Sequence, residues 1–113
     1  MTHQTKLLLI FVNETDTWHD TRLYQALVHL LRRLHVAGAT AQVGMLGYGR
    51  HIRPGHKGSF GMSDDRPVTI SAVDDESRIR AALPELRRMV PEGMMVLMDV
   101  EVVPDTPATS QPV

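Results

Sequence analysis

The segment Lys6-Leu7-Leu8-Leu9-Ile10-Phe11-Val12-Asn13 carries six consecutive apolar residues between polar ends. Alternate residues of a strand point to opposite faces, so apolar residues on both parities mean that both faces are covered. That is the pattern of a central strand. Downstream, Leu23, Ala26, Leu27, Leu30, Leu31 and Leu34 recur at helical spacing and form one apolar stripe. Asp20 or Thr21 is the expected N-cap, Arg32, Arg33 and His35 suit the negative end of the helix dipole, and Gly38 is the expected stop. A second strand is expected from Ala39 to about Gly47, and a third over Pro67–Val73, where Val68, Ile70 and Ala72 alternate with Thr69 and Ser71.

The acidic cluster Asp74-Asp75-Glu76 opens a second helix. Its stripe, Ile79, Ala82, Leu83, Leu86, Met89 and Val90, keeps its phase across Pro84. One kinked helix is therefore expected rather than two elements. A fourth strand follows over Met94–Val103. The order is β-α-β-β-α-β, the ferredoxin-like α+β sandwich: an antiparallel four-stranded sheet with two helices on one face. In this arrangement the first and third strands are central. The other sheet face has no covering element, so Leu8, Ile10 and Val12 or their neighbours must meet a second copy of the chain.

At 113 residues the chain suits one domain. We expect it over residues 1–103, with a long flexible loop at about 48–63 and a disordered tail at 104–113, where three prolines stand among Thr, Ser and Gln. Only 4% of the residues are aromatic, so Leu, Val, Ile, Ala and seven Met must fill the core. The absence of Cys excludes disulfides, thiolate zinc sites and thiol nucleophiles. The six-residue apolar run is far short of the ~20 residues that cross a bilayer, and no basic segment precedes it as in a signal peptide. A cytoplasmic protein without direct membrane insertion is expected. A net charge of −1 argues against nucleic-acid binding.

Five stretches carry a family resemblance: Phe11-Val12-Asn13-Glu14-Thr15-Asp16, Leu23-Tyr24, Ala37-Gly38-Ala39-Thr40, Gly44-Met45-Leu46-Gly47-Tyr48-Gly49 and Asp65-Arg66-Pro67-Val68. Over about residues 6–103 the chain resembles the bacterial family known as domain of unknown function 190, a branch of the PII-like superfamily. The resemblance implies a ferredoxin-like subunit and a PII-like homotrimer, and it implies no established enzyme activity. Gly47-Tyr48-Gly49-Arg50 is similar to the stretch that opens the long loop of PII signalling proteins. There the base of the loop binds adenine-nucleotide phosphates at subunit clefts, and the loop docks onto target proteins. Gly47, Gly49 and Arg50 match residue by residue. His51 and Ile52 stand where PII has Gln and Lys, and of the glycine-and-lysine stretch before the last PII strand only Gly93 remains.

The residues themselves point the same way. Arg50, His51, Arg53, His56 and Lys57 fall within eight positions, and no acid occurs between Asp20 and Asp64. Positive charge on a glycine-rich loop suits an anion. Gly47, Gly49, Arg50, His51, Arg53 and Lys57 are thus the candidate anion or nucleotide ligands. Arg50 is expected to give a charge-assisted bond and Gly49 a backbone N–H where no side chain fits. Glu14, Asp16 and Gly93 are candidate cleft residues. The bland alternative for the first two is a polar turn in which Asp16 or Asp20 caps the helix and Trp18 covers the core edge. The histidine spacings, five residues for His51 and His56 and six for His29 and His35, do not match a helical metal pair, so no metal site and no catalytic residue is assigned.

The leading expectation is a regulatory trimer that binds a small ligand, an adenine nucleotide or another anion, and signals through the 48–63 loop to a target protein, a transporter or an enzyme. The alternatives are a metal- or anion-responsive trimer resembling the divalent-cation-tolerance proteins, and a structural accessory subunit without ligand.

Overall fold

The first strand, β1 (Thr5–Asn13), lies at the centre of a four-stranded antiparallel sheet of order β4-β5-β1-β6. The computed structural model describes residues 4–50, 52 and 65–106. Around β1 come β2 (Thr17–Trp18), β3 (Thr21–Arg22), α1 (Leu23–Arg33), β4 (Gly38–Val43), β5 (Pro67–Asp75), α2 (Glu76–Met89) and β6 (Met95–Val100). The expected ferredoxin-like arrangement is present, with β1 and β5 in the middle.

Register fixes which side of each strand is dry. Leu8, Ile10 and Val12 stand opposite Ala72, Ile70 and Val68. All six are buried, and they form the core with Leu27, Leu30 and Leu31 of α1 and Ile79, Ala82 and Leu86 of α2. Leu7, Leu9 and Phe11 point the other way and are only half-buried, so the open face carries the neighbours and not the inward set.

Several boundaries differ from expectation, each for a local reason. β4 ends at Val43, not near Gly47. Its partner β5 begins at Pro67, whose nitrogen has no hydrogen to donate; the last bond runs from the Gly44 N–H to the Pro67 carbonyl at 2.7 Å. β6 stops at Val100 because that residue pairs with Thr5, the first residue of β1. Asp74 and Asp75 belong to β5, and the Asp74 carboxylate accepts from the Ala37 N–H and pairs with Arg78 at 3.2 Å. The α1 N-cap is Arg22, without a side-chain cap bond, because Thr17–Trp18 and Thr21–Arg22 pair as a small hairpin. His19 turns that hairpin at φ 56°.

The stop of α1 is also not Gly38. His35 takes the left-handed conformation at φ 62°. Its N–H donates to the Arg32 carbonyl and that of Val36 to the Leu31 carbonyl, both at 3.0 Å, which closes a Schellman cap. α2 runs unbroken through Pro84, as its phase required. Of the tail, residues 104–106 are exposed and without regular structure, and 107–113 lie outside the described residues. No helix among the described residues is long and apolar enough to cross a membrane.

Candidate functional site

Where β1 leaves the sheet, the chain is tied down by its own polar groups. Asn13 is buried at 2% exposure, and the Asp16 carboxylate accepts from the Asn13 backbone N–H at 2.9 Å and from its side-chain amide at 3.3 Å. The Asp16 carbonyl accepts from the Leu23 N–H at 2.8 Å, which sets the start of α1. Asp65 accepts from the Thr15 hydroxyl at 2.8 Å and from its N–H at 3.3 Å, latching this turn to the approach of β5. Asp16 thus organises the turn rather than capping the helix with its side chain. Trp18 packs against the core edge.

The exit of α2 forms the opposite wall. Arg87 Nη1 donates to the Val90 carbonyl at 3.0 Å and to the Gly93 carbonyl at 2.8 Å, and so holds the Pro91–Gly93 turn closed. The Phe11 N–H donates to the Met94 carbonyl at 3.1 Å, which docks the turn against β1.

Between these walls lies a cleft of about 630 Å³ whose lining includes Asn13, Asp16, Gly49, Arg50, Glu92 and Gly93. Two further cavities share Arg50 with it. One, of about 510 Å³, is bounded by Arg50, Arg87, Glu92, Gly93, Met94 and Met95. The other, of about 360 Å³, is mainly apolar, with Phe11, Leu46, Tyr48, Ile52, Pro67 and Met94 in its wall. Arg50 therefore stands where an acidic, a basic and an apolar lobe meet.

Of the residues picked out in the sequence, Asp16, Gly49, Arg50 and Gly93 come together in the first cleft, and Gly47 borders the apolar lobe. Glu14 is not in these linings; it approaches Arg66 at 3.7 Å, and its N–H donates to the Arg66 carbonyl at 2.7 Å. His51, Arg53 and Lys57 lie outside the described residues. The Gly49 N–H donates to the Ile52 carbonyl at 3.1 Å, and Ile52 returns a bond at 3.3 Å. Among the described residues, a Cβ there would meet the Ile52 side chain at 3.7 Å, an ordinary contact. Sequence reading missed Arg87 and Glu92. The signal for Arg87 was a basic residue in the last helical turn, six positions before the glycine whose carbonyl it holds. Among the described residues no group of three or more His, Asp or Glu is placed to hold a metal ion.

The architecture is that of a PII-like protein. The solved structure of CPII from Thiomonas intermedia K12, bound to ADP, AMP and acetate, superposes with a TM-score of 0.64 at 20% identity, covering 90% of this chain and 91% of that one. The chain belongs to the family of domain of unknown function 190, described as "Uncharacterized ACR", whose model matches residues 5–102. Its relatives include the UPF0166 protein MJ1524 of Methanocaldococcus jannaschii, 31% identical over 101 residues (88% of this chain and 92% of the relative). A UPF0166 protein of Aquifex aeolicus is 32% identical over 100 residues, 87% and 92% of the two chains.

Proposed function

We propose that this protein is a PII-like regulatory subunit that binds an adenine nucleotide or similar anion in the cleft at Arg50 and works as a homotrimer. The meeting of three unlike lobes at Arg50 carries the reading. A nucleotide has three unlike parts: a flat apolar base, a hydroxyl-bearing sugar and an anion. The Tyr48–Pro67 lobe suits the base, Asp16 suits sugar hydroxyls, and Arg50 suits phosphate through a charge-assisted, bidentate bond. CPII, of the same fold, holds ADP and AMP, which supports this ligand class.

Signalling follows from position. Gly49 and Arg50 stand at the start of the 48–63 segment, so a ligand held by Arg50 acts at its base. To shift that segment, the ligand must bind one of its arrangements more tightly than the other. A target protein, a transporter or an enzyme, would read the difference. His51, Arg53 and Lys57 supply the remaining positive charge of this proposal.

Calorimetry with ADP and AMP tests it. Wild type should bind, and Arg50→Ala should weaken binding by about 1.5–3 kcal/mol, roughly tenfold to more than a hundredfold. Lys57→Ala should cost less, with an effect that fades as salt rises. No binding by wild type would reject the nucleotide reading. Equal losses in the two variants would mean a diffuse basic patch.

A further inference from the structure

Arg87 is the second guanidinium at this site. It stands with Arg50 in the lining of the 510 Å³ cavity, which shares the Pro91–Gly93 turn with the cleft that Asp16 lines. A guanidinium has five N–H donors in a fixed fork. Arg87 Nη1 is engaged by the Val90 and Gly93 carbonyls. These bonds hold the head group in place while leaving the Nε and Nη2 hydrogens without a partner among the described residues. A pre-positioned arginine loses less freedom on binding a ligand than a loose one.

Charge is sorted around Arg50. Among the described residues, the lining on the Asp16 side carries two carboxylates, Asp16 and Glu92, against one guanidinium. On the Arg87 side the described lining carries two guanidiniums against one carboxylate, Glu92. An anionic group is therefore repelled from the first lobe and drawn to the second. One guanidinium can satisfy one phosphate through two parallel bonds. Two guanidiniums in the wall of one cavity suit two linked phosphates.

We infer that Arg50 and Arg87 together form a diphosphate seat, and that the ligand class of the cleft is a nucleoside diphosphate in preference to a monophosphate. The inference rests on the nucleotide reading above and adds to it a residue and a preference. Arg87 is both a binding residue and, through its two carbonyl contacts, the residue that positions the turn.

The test separates these roles by a ratio. Calorimetry measures ADP, AMP, inorganic pyrophosphate and inorganic phosphate on wild type, Arg87→Gln and Arg87→Lys. Wild type should prefer ADP to AMP and pyrophosphate to phosphate. Arg87→Gln should lose about tenfold or more on the diphosphates, the scale of a lost bond to a charged group, and little on the monophosphates. Arg87→Lys should restore part of the preference, because a point charge keeps attraction but not the fork. A role confined to holding the turn would lower ADP and AMP alike in Arg87→Gln, and that parallel loss would overturn the seat. So would an unchanged preference, or a wild type that binds both nucleotides equally; either result leaves the nucleotide reading standing. Arg87-dependent binding of pyrophosphate without binding of either nucleotide would keep the seat and reject the nucleotide. No binding of any of the four probes would reject both.

Discussion

Gly93 is wedged between Val90 and the backbone of β1. A Cβ at this position would come within 2.4 Å of Val90 Cγ1 and 3.6 Å of the Phe11 carbonyl. Val90 is buried, and its branched side chain has few rotamers to escape into. Gly93→Ala is therefore expected to destabilise the fold by about 1–3 kcal/mol, the usual range for overpacking. Urea unfolding measures it, and an unchanged midpoint would refute the close approach. Val90→Ala in the same chain should recover part of the loss, because the two changes share one contact. Gly93 was legible in the sequence as a cleft residue, but the reason was not: the spacing of Pro91-Glu92-Gly93 says that a helix ends, not that a valine three residues earlier stands over the glycine. Arg87 shows the same limit. Its bonds to the Val90 and Gly93 carbonyls depend on how the chain folds back after α2.

At the scale of elements, apolar phase was the reliable signal and punctuation the weak one. The stripe of α2 continued across Pro84, and the helix does the same. Gly38 is not the stop of α1, because His35 adopts the left-handed geometry three residues earlier. That cap puts Val36 in the core cluster with Leu31, the apolar pairing that commonly accompanies this kind of helix end. Strand ends failed similarly, since a strand stops where its neighbour stops. Pro84 itself offers a measurement. It is exposed, lacks the N–H that would meet the Arg80 carbonyl, and sits in the helix interior. Proline costs about 3 kcal/mol relative to alanine in such a position. Its stiffening of the unfolded chain offsets about 0.4–1 kcal/mol of that. Pro84→Ala should leave the fold intact and raise stability by about 2 kcal/mol, seen as a higher melting temperature. A loss of soluble protein would mean that the proline has a role beyond the helix backbone.

The whole subunit has one dry side and one side that is half dry. Helices cover Leu8, Ile10 and Val12, while Leu7, Leu9 and Phe11 share the opposite face with Val73, Val96, Met98 and Val100. Met98 is 43% exposed in the single subunit. An apolar face running across three strands is what the sequence foretold when β1 carried apolar residues on both parities. The centre of that face was not legible there, because only the register shows that Leu9 lies between Ser71 and Val96. Closed symmetry lets identical faces cover one another. For the proposed trimer, light scattering at micromolar concentration should give three times the 12.6 kDa chain mass. Leu9→Lys should then break the assembly, because a lysine at the centre of a packed interface leaves an unpaired charge out of water. The same change should spare the subunit, since Leu9 points away from the helices and the inward set beside it is untouched. The expected variant is a monomer with unchanged helical circular dichroism. A wild type of monomer mass would overturn the trimer. A Leu9→Lys chain that still assembles would place the contact elsewhere than on this sheet face.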